Sequence, residues 1–126
     1  MIDHTSDLLI RIKNASAVKR SELSMPYSKM KEAILKILET NGFVKDIRIT
    51  EDKAKKNLSF SLIANKNITH IRQLSTSGHR IYTKGKDIKI PLRGLALVII
   101  STSSGVINAK EAQKKGLGGE LICEIW

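Results

Sequence analysis

Apolar and polar positions follow two rhythms along this chain, and each change of rhythm marks an element. From His4 to Val18, the residues Leu8, Leu9, Ile12 and Ala15 recur at the spacing of one helix face. Asp3, Thr5 and Ser6 are candidate caps, Arg11 and Lys13 flank the apolar face, and Arg20 stands just beyond the end. Leu23 to Tyr27 reads as an edge strand, because Pro26 removes an amide donor and biases Met25 away from helical backbone. Ser28 then caps a helix whose inner face is Met30, Ala33, Ile34, Ile37 and Leu38, with Lys29, Lys31, Glu32, Lys36 and Glu39 outside. Asn41-Gly42 ends it. A period of two follows: Phe43, Ile47 and Ile49 on one strand face, then Leu58, Phe60, Leu62 and Ala64 on another, joined by the polar stretch Glu51 to Asn57.

Asn65-Lys66-Asn67 breaks the pattern and divides an N-terminal αβαββ lobe, residues 1–65, from a C-terminal lobe, residues 66–126. In the second lobe Ile68 to Leu74 and Arg80 to Thr83 read as strands around the turn Ser75-Thr76-Ser77-Gly78, and Ile88-Lys89-Ile90 alternates before Pro91. Leu95 to Ile100 is a short β-branched run, predicting a strand covered on both faces. It stops at Ser101, where four hydroxyl residues and Gly105 make a loop with little bulk over its backbone. Asn108 caps a short helix, with Glu111 placed to complete a capping box. Gly116 stands as its left-handed terminator, Gly118-Gly119 turn the chain again, and Leu121, Cys123 and Ile125 resume a strand. The fold class is therefore α+β, two small lobes, the second mainly β with one short helix. Lobes of about 60 residues bury only about 60% of their unfolded surface, so the two are expected to pack together.

Charge changes the picture more than size does. Twenty-two basic against twelve acidic residues leave +10, and residues 66–126 hold +6 of it. Between Lys66 and Arg93 stand Lys66, Arg72, Arg80, Lys84, Lys86, Lys89 and Arg93 against Asp87 alone. Such an excess points to a polyanionic partner, most simply nucleic acid; a solvated cationic face is the alternative for any single lysine. Two Tyr, two Phe and one Trp are too few for a base-stacking platform, which favours folded over single-stranded RNA. No apolar run is long enough to span a bilayer and Met1 to Asp7 lacks a signal-peptide layout, so the expectation is cytoplasmic, with no membrane partner. Cys123 reads as a buried free thiol.

Catalytic chemistry finds little support. His4, His70 and His79 show no metal-ligand spacing with Cys123, no Gly-x-Ser-x-Gly elbow occurs, and no Lys-Ser/Thr follows the glycines at 116–119. No cofactor or metal is expected. The competing class is an RNA-processing or nucleotide-dependent enzyme that would use the hydroxyl loop and glycine turn as a phosphate site. A protein–protein adaptor whose charge serves only solubility is a third.

Ser101-Thr102-Ser103-Ser104-Gly105-Val106, then Glu111-Ala112, then Gly116-Leu117-Gly118-Gly119-Glu120-Leu121-Ile122-Cys123 resemble the C-terminal signature of the small-subunit ribosomal protein eight family, whose members are primary binders of small-subunit ribosomal RNA. The resemblance covers essentially the whole chain. It implies a non-enzymatic constituent of the ribosome that assists small-subunit assembly, contacts neighbouring small-subunit proteins through its first lobe and, in bacterial members, represses its own mRNA. It implies RNA contacts at Ser101, Thr102, Ser103, Ser104, Gly105, Gly118, Gly119 and Glu120. Arg80, Tyr82 and Lys84 would stand beside them, and Arg11, Asn14, Ser28, Lys29 and Lys31 would contribute from the first lobe. Ser104 departs from the longer polar or basic residue usual in the family, and Ser77 from a proline. From sequence, Ser28 serves equally as a helix cap, and the Tyr82 ring equally as cover for the sheet.

Overall fold

The computed structural model describes residues 4–63 and 68–126. Asp3, Ala64, the expected lobe boundary Asn65 to Asn67, and with it Lys66, lie outside the described residues. The chain divides into two units, Met1–Ile68 and Thr69–Trp126. The architecture is α+β, with helices and an antiparallel sheet in each unit.

In the first unit, α1 (His4–Ala17) buries Leu8, Leu9, Ile12 and Ala15, the apolar stripe read from its period. Thr5 and Ser6, read as candidate caps, lie inside the first turn of the helix. β1 (Glu22–Pro26) is an edge strand, paired among the described residues with β3 alone. α2 (Lys29–Thr40) is capped by Ser28, whose hydroxyl accepts from the Lys31 amide at 3.2 Å. Its buried stripe is Lys31, Ile34, Leu35 and Leu38, which corrects the expected outward Lys31 and turns the inner face: Leu35 joins it, and Met30, Ala33 and Ile37 are only half-buried. A lysine can lie there because its ammonium has two partners waiting at the end of the stem.

β2 (Val44–Asp52) and β3 (Lys55–Leu62) form a hairpin in a sheet ordered β1-β3-β2. Pairing runs out to Asp52 opposite Lys55, so the expected seven-residue polar connection shrinks to Lys53-Ala54. Both turn residues have positive φ, 46° and 68°, the twist that two-residue hairpins require. A bulge between Lys45 and Arg48, with Asp46 at φ 55°, puts Val44, buried opposite Leu62, on the same strand face as Ile49, which lies opposite Leu58 but is exposed. Phe43, read as the first residue of that face, is buried but precedes the strand. Leu58, Phe60 and Leu62 are buried as their alternation predicts.

The second unit is a sheet ordered β4-β8-β6-β7, with β5 also on β8. β4 (Ile71–Gln73) and β5 (Tyr82–Thr83) are shorter than their sequence patterns. Between them the buried Ser75 hydroxyl accepts from the Ile81 amide at 2.8 Å, fixing the turn. Ile88-Lys89-Ile90 is not a strand; Ile88 drops into the core between 3-10 turns at Gly85–Asp87 and Leu92–Gly94. β6 (Leu97–Thr102) starts two residues later than the apolar run, leaving Leu95 81% exposed, and it continues through Ser101 and Thr102. β7 (Gly105–Asn108) returns along it, so the expected hydroxyl loop is the tip of a hairpin.

α3 (Ala109–Lys115) is capped by Asn108, whose side chain accepts from the Lys110 amide at 2.9 Å, and ends on Gly116 at φ 68°. The expected capping box is absent because Glu111 pairs with Lys115 at 2.9 Å one turn on. β8 (Gly119–Ile125) closes the unit. Ile122 to Ile125 are all buried rather than alternating, and the β6–β8 register shifts between Ile99 and Ile100. At its end Trp126 stacks on His70, ring centroids 3.8 Å apart, and a backbone oxygen of Trp126 accepts from the Thr69 and His70 amides at 2.8 and 2.9 Å.

Candidate nucleic-acid interface

Strand register builds the site in the second unit. Ser101 pairs with Val106 on one side and Glu120 on the other, and Glu120 pairs with Tyr82, so Val106, Ser101, Glu120 and Tyr82 form one row across β7, β6, β8 and β5. Consecutive residues of a strand face opposite ways. Ile100 points into the core under α3, and Ser101 therefore points to the other face.

The tip beside this row is held by Thr102. Its hydroxyl donates to the Gly105 carbonyl at 2.9 Å and accepts from the Ser104 amide at 3.1 Å, so one side chain closes the turn. Gly105 sits at φ 110°, a backbone region that side chains avoid. With Thr102 engaged, the hydroxyls of the exposed residues Ser103 and Ser104 stand furthest out.

Two glycines let backbones close on this edge. A Cβ on Gly119 would collide with the Ser101 carbonyl, and one on Gly118 would lie 2.5 Å from the Thr83 oxygen and 2.9 Å from the Lys84 Cα. Glycine is required at both for packing of main chain against main chain. The result is a floor of bare peptide between hydroxyls. Over it the Arg80 guanidinium donates to Glu120 Oε2 at 3.1 Å, which orients both side chains. Tyr82 is 70% exposed, so its ring stands in solvent and does not cover the sheet. Lys84 is exposed beside Gly118.

The structure thus brings Ser101, Thr102, Ser103, Ser104, Gly105, Gly118, Gly119, Glu120, Arg80, Tyr82 and Lys84 together at one end of one sheet. The first-unit candidates are arranged differently. Arg11 and Asn14 are exposed on α1 and line a groove of about 390 Å³ with Val18, Arg20 and Leu23, and Arg11 donates to Asp7 at 2.9 Å. Lys29 is exposed at the start of α2. Ser28 is buried and spent on the cap. The Lys31 ammonium is buried, donating to Asp7 Oδ2 at 2.7 Å and to the Pro26 carbonyl at 3.2 Å. Lys31 and then Arg11 hold the Asp7 carboxyl below its ordinary range. This lysine ties α1, α2 and β1 together, and it has no free face for a ligand. The sequence around Lys31 carries no sign of this, because its acidic partner is 24 residues away.

Burial pushes the Cys123 thiol up to about 12, which leaves it protonated and unreactive. Among the described residues no three His, Cys, Asp or Glu side chains converge to hold a metal ion, and no helix is long and apolar enough to cross a membrane.

An edge of hydroxyls and bare backbone set among cations has the chemistry of a surface that meets a polyanion. Residues 3–126 match the model of the family described as Ribosomal protein S8. The chain is 40% identical to the small ribosomal subunit protein uS8 of Bifidobacterium longum subsp. infantis, covering 100% of this chain and 98% of that one. It is 39% identical to uS8 of Mycoplasma mobile, over 98% of this chain and 96% of that one. Identity to uS8c of Tetradesmus obliquus is 39%, with 98% of each chain covered. The chain belongs to the ribosomal protein S8 family, a family of structural ribosomal proteins and not of enzymes.

Proposed function

We propose that this protein binds small-subunit ribosomal RNA through the edge formed by Ser101, Ser103, Ser104, Gly118, Gly119 and Glu120, and that binding assists assembly of the subunit. The observation that carries the reading is the exposed hydroxyl tip set against glycine backbone. An A-form duplex offers a wide, shallow minor groove lined with 2′-hydroxyls, and short alcohol side chains can enter it and exchange hydrogen bonds where long ones would be held off. Arg80 and Lys84 would meet phosphates at the rim, and Tyr82 would lie against a sugar or an unpaired base. Thr102 contributes by shaping the tip, and Arg11, Asn14 and Lys29 remain as solvent-facing candidates on the first unit. Lys31 and Ser28 drop out, since both are buried and engaged.

Neighbouring small-subunit proteins are the partners proposed for the first unit, and repression of the protein's own mRNA follows if that message copies the ribosomal site. Filter binding to the central-domain RNA of the small subunit tests the reading across a salt series. Ser103→Ala is expected to weaken binding by about 1–2 kcal/mol without changing the salt dependence, and Lys84→Ala to flatten that dependence by about one unit. Unchanged affinity in Ser103→Ala and Ser104→Ala together would remove the hydroxyl edge from the interface.

A further inference from the structure

A large share of the chain's excess charge lies on a part of the second unit that the serine row does not use. Residues 85–93 and 109–115 hold Lys86, Lys89, Arg93, Lys110, Lys114 and Lys115 against Asp87 and Glu111, a net +4 in a chain of +10. Fold geometry turns these two stretches into one ridge. The 85–94 segment and α3 run side by side in opposite directions, with contacts at both ends and the middle. Gly85 approaches so closely that a Cβ there would lie 2.5 Å from the Gly116 carbonyl carbon. Gln113 donates to the Ile88 carbonyl at 3.2 Å. A Cβ on Gly94 would meet the Lys110 Cε at 3.9 Å.

Beneath the ridge Ile88, Ala109 and Ala112 are buried with Val98 and Ile100, so it rests on core and not on a loose loop. Lys86, Lys89, Arg93, Lys110 and Lys114 are exposed, and among the described residues none of these five is in an ion pair; Lys115 alone is tied, to Glu111 at 2.9 Å. Five free cations on a core-backed support, with about 10 Å of helix along one side, suit a duplex backbone that carries a charge every ~1.7 Å.

The orientation of the ridge matters as much as its charge. α3 covers the face of β6 that carries Val98 and Ile100, whereas Ser101, Glu120 and Tyr82 point from the opposite face. One straight duplex seated on the serine row would leave the ridge bare. We propose that α3 and the 85–94 segment form a second RNA seat, which takes the phosphodiester backbone of a duplex segment other than the one held at the serine row. The protein then ties two RNA segments together. This rests on the RNA-binding reading above and assigns it a second surface.

The test uses the whole chain bound to central-domain RNA, with a short unrelated RNA duplex as the second probe at low salt. The wild-type complex is expected to capture the duplex. A variant combining Lys86→Ser, Lys89→Ser, Arg93→Ser and Lys110→Ser should keep its affinity for the central-domain RNA yet bind the duplex at least about tenfold more weakly, with the salt slope of capture reduced by about 3–4. Polyglutamate at equal charge should compete poorly with the duplex. The second seat is overturned if the wild-type complex captures nothing, if capture survives the four substitutions, or if polyglutamate displaces the duplex as well as RNA does. It is equally overturned if the quadruple variant and Ser103→Ala each lose both bindings together, because the two faces then act as one. If central-domain RNA fails to bind at all, the serine-row reading fails by itself, and duplex binding to the free protein still measures the ridge.

Discussion

Lys31→Met isolates what the buried ammonium does. The substitution keeps most of the apolar stem and deletes two hydrogen bonds, 2.7 Å to Asp7 and 3.2 Å to the Pro26 carbonyl. A charge-assisted hydrogen bond contributes about 1.5–3 kcal/mol, and stripping a partner from a fully buried pair costs about 3–5. The Asp7 side chain is one-third exposed and keeps Arg11, so solvent takes up part of the loss and the lower part of the range applies, about 2 kcal/mol. For a chain of this size that is roughly 5–10 °C in melting temperature by circular dichroism. The pH dependence carries the sign. Asp7 titrates below its ordinary value in the folded protein, so its stabilisation is fully present above the unfolded carboxylate range and disappears as pH falls through the folded value. Wild type and variant should differ most near neutrality and converge in acid, and RNA salt slopes should match. Equal stability at neutral pH, or a gap that persists undiminished into strong acid, would refute the structural role; a flattened salt slope with unchanged stability would return Lys31 to the RNA surface.

Gly119→Ala should cost about 2–3 kcal/mol and abolish central-domain RNA binding, because the new methyl must displace the Ser101 carbonyl; a thermal melt paired with filter binding reads both. Replacing Lys53-Ala54 by Asn-Gly should stabilise the first unit by about 1 kcal/mol in urea, since both residues already hold positive φ that Asn and Gly adopt more easily. The Cys123 thiol, pushed up to about 12, should resist a thiol reagent at pH 8 in native protein and react completely in denaturant.

Periodicity read the helices well because their burial is one-sided: Leu8, Leu9, Ile12 and Ala15 on α1, and Ile34 and Leu38 on α2, are where the stripes put them. It failed at Lys31, where a polar symbol in the apolar stripe looks like an outward residue until its tertiary partner is known. The hydroxyl run read as a loop because serine and threonine signal turns locally, yet pairing with β7 and β8 overrides that preference and keeps Ser101 and Thr102 in a strand. Val44 joined the face of Ile49 only through a bulge, which alternation counting cannot register. The Ser-Thr-Ser and Gly-Gly segments were legible as a site, whereas the cationic ridge was not. Its two halves lie some twenty residues apart in sequence and meet through tertiary contacts, Gly85 on Gly116 and Gln113 on the Ile88 carbonyl among them.

β8 comes later in the chain than β4, β5 and β6, yet all three bond to it. Until β8 is in place β4 and β5 have no strand to join, and the β6–β7 hairpin must hold one edge of Leu97 to Ile100 unpaired. Such long-range closure is slow to form. A substitution that unseats β8 would thus take the central stave from the sheet and lay its greasy side open.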